Sequence, residues 1–106
     1  MKKTYNKLVR DRIPEIITAS GGSCTIRILP DDKYLKMLDA KLDEELAEYH
    51  ENPNIEELAD LLEVIRAAVV ARGYTVEELE SVRAGKAKKR GAFEQKILLI
   101  ETTENT

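Results

Sequence analysis

The sequence predicts an all-α fold with a four-helix core, and three observations support that fold class. Apolar residues recur at steps of three and four along two long segments, which is the period of an amphipathic helix. Pro14, Pro53 and Gly73 stand at predicted helix ends, where proline and glycine are common. The chain has 106 residues, the length of one ordinary domain, so we predict a single domain over 1–106.

The first helix is predicted over 11–20, where Pro14 suits the first turn and a pair of glycines follows the last one. The second helix begins at Asp31 or Asp32, either of which can cap it, and runs to the break at 52–54. Its apolar residues predict one buried face, made of Leu35, Leu38, Leu42, Leu46 and Tyr49.

The third helix is predicted from the cap Asn54 to Arg72. Its second half, 64–71, is apolar on nearly every side, so we expect it to be the buried centre of the fold. Thr75 and Glu78 form a capping-box pattern that opens a fourth helix, which ends near the next glycine.

Two segments outside these helices have strand-like composition. Residues 24–29 contain β-branched side chains with partial alternation, which is typical of a short strand or an extended linker. Residues 94–100 include a run of four apolar side chains and form a plausible strand. We therefore expect that the two segments can form a short β-pair.

Composition excludes several classes of protein. The longest uncharged apolar run, 67–71, is far shorter than the roughly 20 residues needed to cross a bilayer, so we expect no membrane contact. The N-terminal lysines are not followed by the apolar region of a signal peptide, and Cys24 is the single cysteine, so we expect a cytoplasmic protein. The formal net charge of −3 argues against a general nucleic-acid binder.

Two pairs of carboxylates are the most informative feature of the sequence. Glu45 and Glu48 are three residues apart, as are Glu57 and Asp60, so each pair lies on one face of its helix. The short connection at 52–54 predicts an antiparallel helix hairpin, in which the two pairs lie at matching distances from the turn and converge. The alternative is that the four side chains splay into solvent, as many such pairs do.

Converging carboxylates repel one another, and partial burial disfavours their ionisation, so they require a counter-charge. Oxygen ligands with no nearby histidine or thiol suit Mg²⁺, with Mn²⁺ as the other candidate, rather than zinc. Glu44 is expected to point away from the hairpin, whereas Glu45 lies beside the apolar stripe, where its pKa could be raised. Glu45 is therefore the favoured candidate for a general base.

Basic residues are concentrated near both ends of the chain, and Mg²⁺ commonly bridges nucleotide phosphates. Lys86, Lys89 and Arg90 share one side of the fourth helix, and Lys7 and Arg10 are three residues apart near the N-terminus. We predict that both sets bind substrate phosphate. The alternative for the first set is that it complements the negative end of the helix dipole.

The carboxylate motif resembles that of a known superfamily. Glu44-Glu45-Leu46-Ala47-Glu48 followed by Glu57-Leu58-Ala59-Asp60 is similar to the motif of the all-α nucleoside triphosphate pyrophosphohydrolases, which include MazG. The opening 5–17 and the ending 86–93 look like those of a MazG-like subgroup often labelled phosphoribosyl-ATP pyrophosphohydrolase-like. Ala92 departs from the subgroup, which usually has a second glycine there.

The resemblance implies a function and a ligand set. Members of the superfamily hydrolyse a nucleoside triphosphate to the monophosphate and pyrophosphate, with metal-activated water as the nucleophile, and here the role would be house-cleaning of the nucleotide pool. The Mg²⁺ ligands would be Glu45, Glu48, Glu57 and Asp60, the first two also serving as catalytic residues. Lys86, Lys89 and Arg90 would bind phosphate.

Two further expectations concern partners. A helix as apolar as the third is hard to cover with three short helices, so we expect a homodimer or homotetramer. The alternative function is a non-catalytic nucleotide sensor or helical interaction module of the same fold. RNA binding through the basic ends is a second alternative, which a steep salt dependence of RNA affinity would support.

Overall fold

The computed structural model describes residues 2–104, and four α-helices are the regular secondary structure of that part of the chain. Helix α1 spans Ile13–Ala19, α2 spans Asp31–Glu51, α3 spans Ile55–Ala71 and α4 spans Val76–Arg90. The predicted all-α class is confirmed. Within residues 2–104, none of the helices has the length and hydropathy needed to span a membrane.

Local sequence explains most helix ends. The side chain of Asn54 accepts a hydrogen bond of 2.9 Å from the backbone N–H of Glu57 and so caps α3, as predicted. Helix α2 instead has Pro30 as its N-cap and no side-chain cap, so neither Asp31 nor Asp32 caps it. Both aspartates lie in the first turn of α2, where their negative charge complements the helix dipole.

The predicted β-pair is not formed, since residues 2–104 contain no β-strand. Two strands alone are marginal in water unless an apolar surface covers one face. The structure provides no such cover, because Ile28 is 87% exposed and Leu98 is 83% exposed. Lys96 also has a φ of 59°, which interrupts an extended backbone at the start of the second segment.

Helices α2 and α3 pack against each other as an antiparallel hairpin. Among residues 2–104 the two buried side chains are Leu38 and Glu45, both on α2. Both helices also carry half-buried apolar residues, including Leu35, Leu42, Leu61, Val64, Ile65 and Ala68. The hairpin core is therefore small, and it includes a carboxylate.

Helix α3 is not the buried centre that its composition predicts. It contains no buried residue, and Leu58, Leu62 and Val70 are 43%, 52% and 59% exposed. The reason is that one face of α3 packs on α2, while no other helix in the segment up to Val76 packs on the opposite face. The correction leaves an apolar surface on α3.

Contacts divide the chain into two compact units, Met1–Val76 and Glu77–Thr106. The first contains α1 and the hairpin. The second contains nearly all of α4, which has an ion pair between Glu80 and Arg83, and a C-terminal segment with exposed apolar side chains. A single domain over 1–106 stays a prediction, and residues 1, 105 and 106 lie outside the described part of the chain.

Candidate metal centre

The hairpin brings together three of the four predicted carboxylate ligands. Glu45 of α2 and Glu57 and Asp60 of α3 each offer an oxygen, and these three oxygens lie within 4.8 Å of one another. The register follows from the short 52–54 connection, which sets the two helices side by side in opposite directions. The three carboxylates form a group that could hold one metal ion, and we call it the carboxylate cluster.

Burial sets the two glutamates of this cluster apart from ordinary surface acids. Glu45 is only 7% exposed, and its Oε2 atom is buried without a hydrogen-bond partner among the described residues. Oε2 of Glu57 is buried and unpartnered in the same way. A buried carboxylate oxygen without a partner is costly, because it has lost water and gained nothing in exchange. The cluster is therefore short of positive charge.

The pKa values of Glu45 and Glu57 rise for the same reason. Burial is the main cause that raises the pKa of Glu45, and repulsion from Glu48 adds to it, although nearby Lys41 opposes the rise. The pKa of Glu57 is also raised, first by desolvation and then by Glu48 and Asp60. Glu48 thus lies within electrostatic reach of both glutamates, even though it is not one of the three converging ligands.

Glu44, which we expected to point away from the hairpin, lies outside the carboxylate cluster and has the opposite surroundings. Its side chain is only 24% exposed and contacts two lysines. Lys7 Nζ donates to Glu44 Oε1 at 2.8 Å, and Lys41 Nζ lies 3.1 Å from Oε2. The hydrogen bond from Lys7 is the main cause that lowers the pKa of Glu44.

The two N-terminal cations predicted to bind phosphate both contact carboxylates of the hairpin. Arg10 Nη2 donates to Asp60 Oδ1 at 2.7 Å, so Arg10 touches one member of the carboxylate cluster. Lys7 reaches Glu44 on the other helix. Sequence reasoning missed both pairs. The available signal was the basic character of 1–12 against the acidic character of 31–52, a range that includes Glu44 but not Asp60. Phosphate binding by Lys7 and Arg10 stays a prediction.

The remaining predicted cations lie in the second unit. Lys86, Lys89 and Arg90 are exposed residues of α4, and the last two belong to its final turn. That position agrees with the helix-dipole alternative as well as with phosphate binding. Their role as phosphate ligands stays a prediction.

Comparison with known proteins gives one partial match. A protein of Mycolicibacterium smegmatis, described only as an uncharacterized protein, is 67% identical over 42 residues. The match covers 40% of this chain and 43% of that protein, so this chain aligns with less than half of its relative. No protein-family model matches the chain, and no solved structure matches it. The resemblance to MazG-like enzymes therefore stays a prediction from the motifs.

Proposed function

We propose that this protein is a Mg²⁺-dependent nucleoside triphosphate pyrophosphohydrolase, which converts the triphosphate and water to the monophosphate and pyrophosphate. The observation that carries the proposal is the buried carboxylate of Glu45, whose Oε2 atom has no hydrogen-bond partner, within a cluster of three converging acids. Such a cluster attracts a divalent cation, and the Glu-Glu-x-x-Glu and Glu-x-x-Asp motifs around it resemble those of enzymes with this activity.

The donor set fits magnesium. Glu45, Glu57 and Asp60 would hold the ion through oxygen atoms, and the cluster contains no histidine or thiol. Three carboxylates leave coordination positions for phosphate oxygens and water, which is how Mg²⁺ is usually bound by phosphate-processing enzymes. When bound, Mg²⁺ would neutralise phosphate charge and make water a better nucleophile. Mn²⁺ has similar preferences and is the expected substitute.

The carboxylates then divide into two roles. Glu45 was the favoured base on sequence grounds, but its oxygen converges with those of Glu57 and Asp60 and is better used as a ligand. Glu48 lies next to the cluster without being one of the three converging acids. We therefore propose that Glu48 is the general base, which accepts a proton from the attacking water. The water oxygen bonds to the α-phosphorus, the bond from that phosphorus to the bridging oxygen breaks, and pyrophosphate leaves with the bridging oxygen.

The basic residues would stabilise the charge that develops on the phosphates. Lys86, Lys89 and Arg90 are the candidates on α4, and Lys7 and Arg10 are the candidates near the N-terminus. A charge-assisted hydrogen bond contributes about 1.5 to 3 kcal/mol. Alanine at Lys89 or Arg90 should therefore raise KM or lower kcat by roughly tenfold or more. Unchanged kinetics in both variants would favour the helix-dipole interpretation instead.

Product analysis tests the proposed reaction directly. Standard and damaged nucleoside triphosphates are incubated with the protein and Mg²⁺, and the products are separated by ion-exchange chromatography. We expect monophosphate and pyrophosphate in equal amounts from at least one substrate, and loss of activity in Asp60→Asn. Asp43→Asn is the matched control, because Asp43 is an exposed carboxylate on α2 outside the cluster. Orthophosphate as the first product would contradict the proposal, and nucleotide binding without turnover would favour a sensor.

We also infer that the protein self-associates through α3. Leu58, Leu62 and Val70 lie on one side of the helix at spacings of four and eight residues, and each is more than 40% exposed. An apolar stripe of this kind is typical of a subunit interface. Sedimentation should give a mass of at least twice the 12.0 kDa of one chain, and Leu62→Glu should reduce that mass. Ile16→Glu, at an exposed apolar residue of α1, is the control and should leave the mass unchanged.

A further inference from the structure

The N-terminal segment 5–12 is tied to both helices of the hairpin by two ion pairs. Lys7 contacts Glu44 of α2, 37 positions away in the sequence, and Arg10 contacts Asp60 of α3, 50 positions away. These pairs place one ammonium group against α2 and one guanidinium group against α3. The segment therefore brings fixed positive charge to the edge of the carboxylate cluster.

The two ion pairs differ because only one of their carboxylates belongs to the carboxylate cluster. Glu44 lies outside the three converging acids, so its pair with Lys7 can persist whatever the cluster binds. Asp60 is one of the three, and Arg10 Nη2 donates a hydrogen bond of 2.7 Å to one of its oxygens. A guanidinium and a divalent cation on the same carboxylate repel each other, so they compete for Asp60.

We propose that Arg10 is the counter-charge of Asp60 in the metal-free protein, that a divalent cation displaces it, and that the released guanidinium then binds the phosphate of the ligand. This proposal rests on the metal site of the proposed function. It adds an order of events, in which metal binding prepares the phosphate site. The Lys7–Glu44 pair keeps the segment in place, so Arg10 stays close to the cluster after it leaves Asp60.

Exposure and incomplete pairing make the exchange favourable. The Arg10 and Asp60 side chains are 58% and 41% exposed, and an ion pair in such surroundings contributes little to stability. Arg10 also contacts only one of the three acids, which leaves buried oxygens of Glu45 and Glu57 without partners. A divalent cation can serve all three carboxylates at once. A guanidinium fork matches phosphate geometry well, so Arg10 gains a strong partner after the exchange.

The first measurement titrates Mn²⁺ alone, with no phosphate present, and follows free Mn²⁺ by its electron paramagnetic resonance. Arg10→Gln removes the competitor, so we expect it to bind Mn²⁺ roughly two- to fivefold more tightly than the wild type, the range set by an exposed ion pair. Arg10→Lys restores the charge and should return affinity toward the wild-type value. Arg12→Gln is the matched control, because Arg12 pairs with Glu15 at 3.1 Å in its own part of the chain.

The second measurement titrates imidodiphosphate, a non-hydrolysable pyrophosphate analogue, in saturating Mg²⁺. Here Arg10→Gln should bind roughly tenfold more weakly than the wild type, because a charge-assisted hydrogen bond to phosphate is lost. The control Arg12→Gln should again be unchanged. The two effects of Arg10→Gln have opposite signs, tighter for metal and weaker for phosphate. A purely structural role of Arg10 would weaken both, and that result would overturn the proposal.

The outcomes also separate this proposal from the proposed function. If the wild type binds Mn²⁺ but Arg10→Gln binds it equally or less tightly, the exchange is wrong while the metal site stands. If Arg12→Gln changes both affinities as much as Arg10→Gln does, the effect is general charge and the exchange is also wrong. If the wild type binds no Mn²⁺, the metal site and the exchange both fail. If both expected effects are found but no triphosphate is hydrolysed, the exchange stands and the hydrolase assignment fails.

Discussion

Glu44 and Glu45 are neighbours on α2, yet the structure gives them opposite surroundings. Glu44 contacts two lysines, and its pKa is lowered. Glu45 is buried with an unpartnered oxygen among other acids, and its pKa is raised. Lys41 lies between them, 3.1 Å from Glu44 and 3.4 Å from Glu45. The contrast teaches that residue type alone does not distinguish a candidate site residue. What distinguishes Glu45 from Glu44 is the excess of negative charge around it.

The largest expected effect is on catalysis, and it contrasts the two neighbours directly. Glu45→Gln keeps the shape of the side chain but removes a ligand charge, so kcat/KM for the substrate identified by product analysis should fall roughly 100-fold or more. Glu44→Gln should reduce it less than about tenfold, because it breaks an ion pair outside the cluster. Steady-state kinetics of both variants at saturating Mg²⁺ make the comparison. Equal losses would mean that burial does not distinguish the two glutamates.

The second effect is on thermal stability and needs no substrate. A ligand that binds only the folded state stabilises it by mass action, by about 2.7 kcal/mol at 100 times its Kd. For a chain of this size, we expect Mg²⁺ to raise Tm by on the order of 10 °C. Glu45→Gln and Asp60→Asn should melt at or above the metal-free wild-type Tm and lose most of the Mg²⁺ response. Glu44→Gln should keep that response. Calorimetry with and without Mg²⁺ distinguishes carboxylates that bind one ion together from carboxylates that only lie close to one another.

The third effect concerns the lysine that touches both glutamates. Lys41 is only 20% exposed, and Lys41→Met would leave Glu45 without its nearest cation. Removing a charged partner of a mostly buried carboxylate costs about 1 to 3 kcal/mol, so the metal-free Tm should fall by several degrees. Saturating Mg²⁺ should restore part of the loss, since the ion supplies the missing charge. A metal-free Tm that does not change would show that Lys41 does not relieve the charge on Glu45.

The sequence predicts the features that depend on local pattern. The bounds of α2, α3 and α4 agree closely with the apolar period and with signals such as the Asn54 cap, because a helix is specified by residues a few positions apart. The convergence of Glu45, Glu57 and Asp60 was also predictable, because a three-residue connection between two helices leaves little freedom in their register.

Features that depend on distant residues could not be predicted in the same way. The pairs Lys7–Glu44 and Arg10–Asp60 span 37 and 50 positions, and no local period links such residues. The predicted β-pair failed because pairing needs a surface to pack on, which composition alone does not reveal. The apolar composition of α3 indicates that something should cover the helix, but it does not say what.

The smallest expected effect is on the pH dependence of stability, and it has opposite signs for the two neighbours. The pKa of Glu45 is raised in the folded protein, so protonated Glu45 favours folding. Its stabilising contribution is complete below the unfolded pKa, near 4.5, and is lost as pH rises through the folded pKa. Removing this titration in Glu45→Gln should therefore make the variant increasingly more stable than the metal-free wild type as pH rises from 4 to 7.

Glu44 should behave in reverse. Its pKa is lowered mainly by the hydrogen bond from Lys7, so its contribution is present above the unfolded value of 4.5 and disappears as pH falls through the folded pKa. Glu44→Gln should then be less stable than the wild type at pH 7, and the difference should shrink toward pH 4. Urea unfolding of the three metal-free proteins across this pH range measures both differences. If the stability difference from the wild type changed with pH in the same direction for both variants, Glu44 and Glu45 would share one electrostatic environment. The charge imbalance around Glu45 would then no longer distinguish the site.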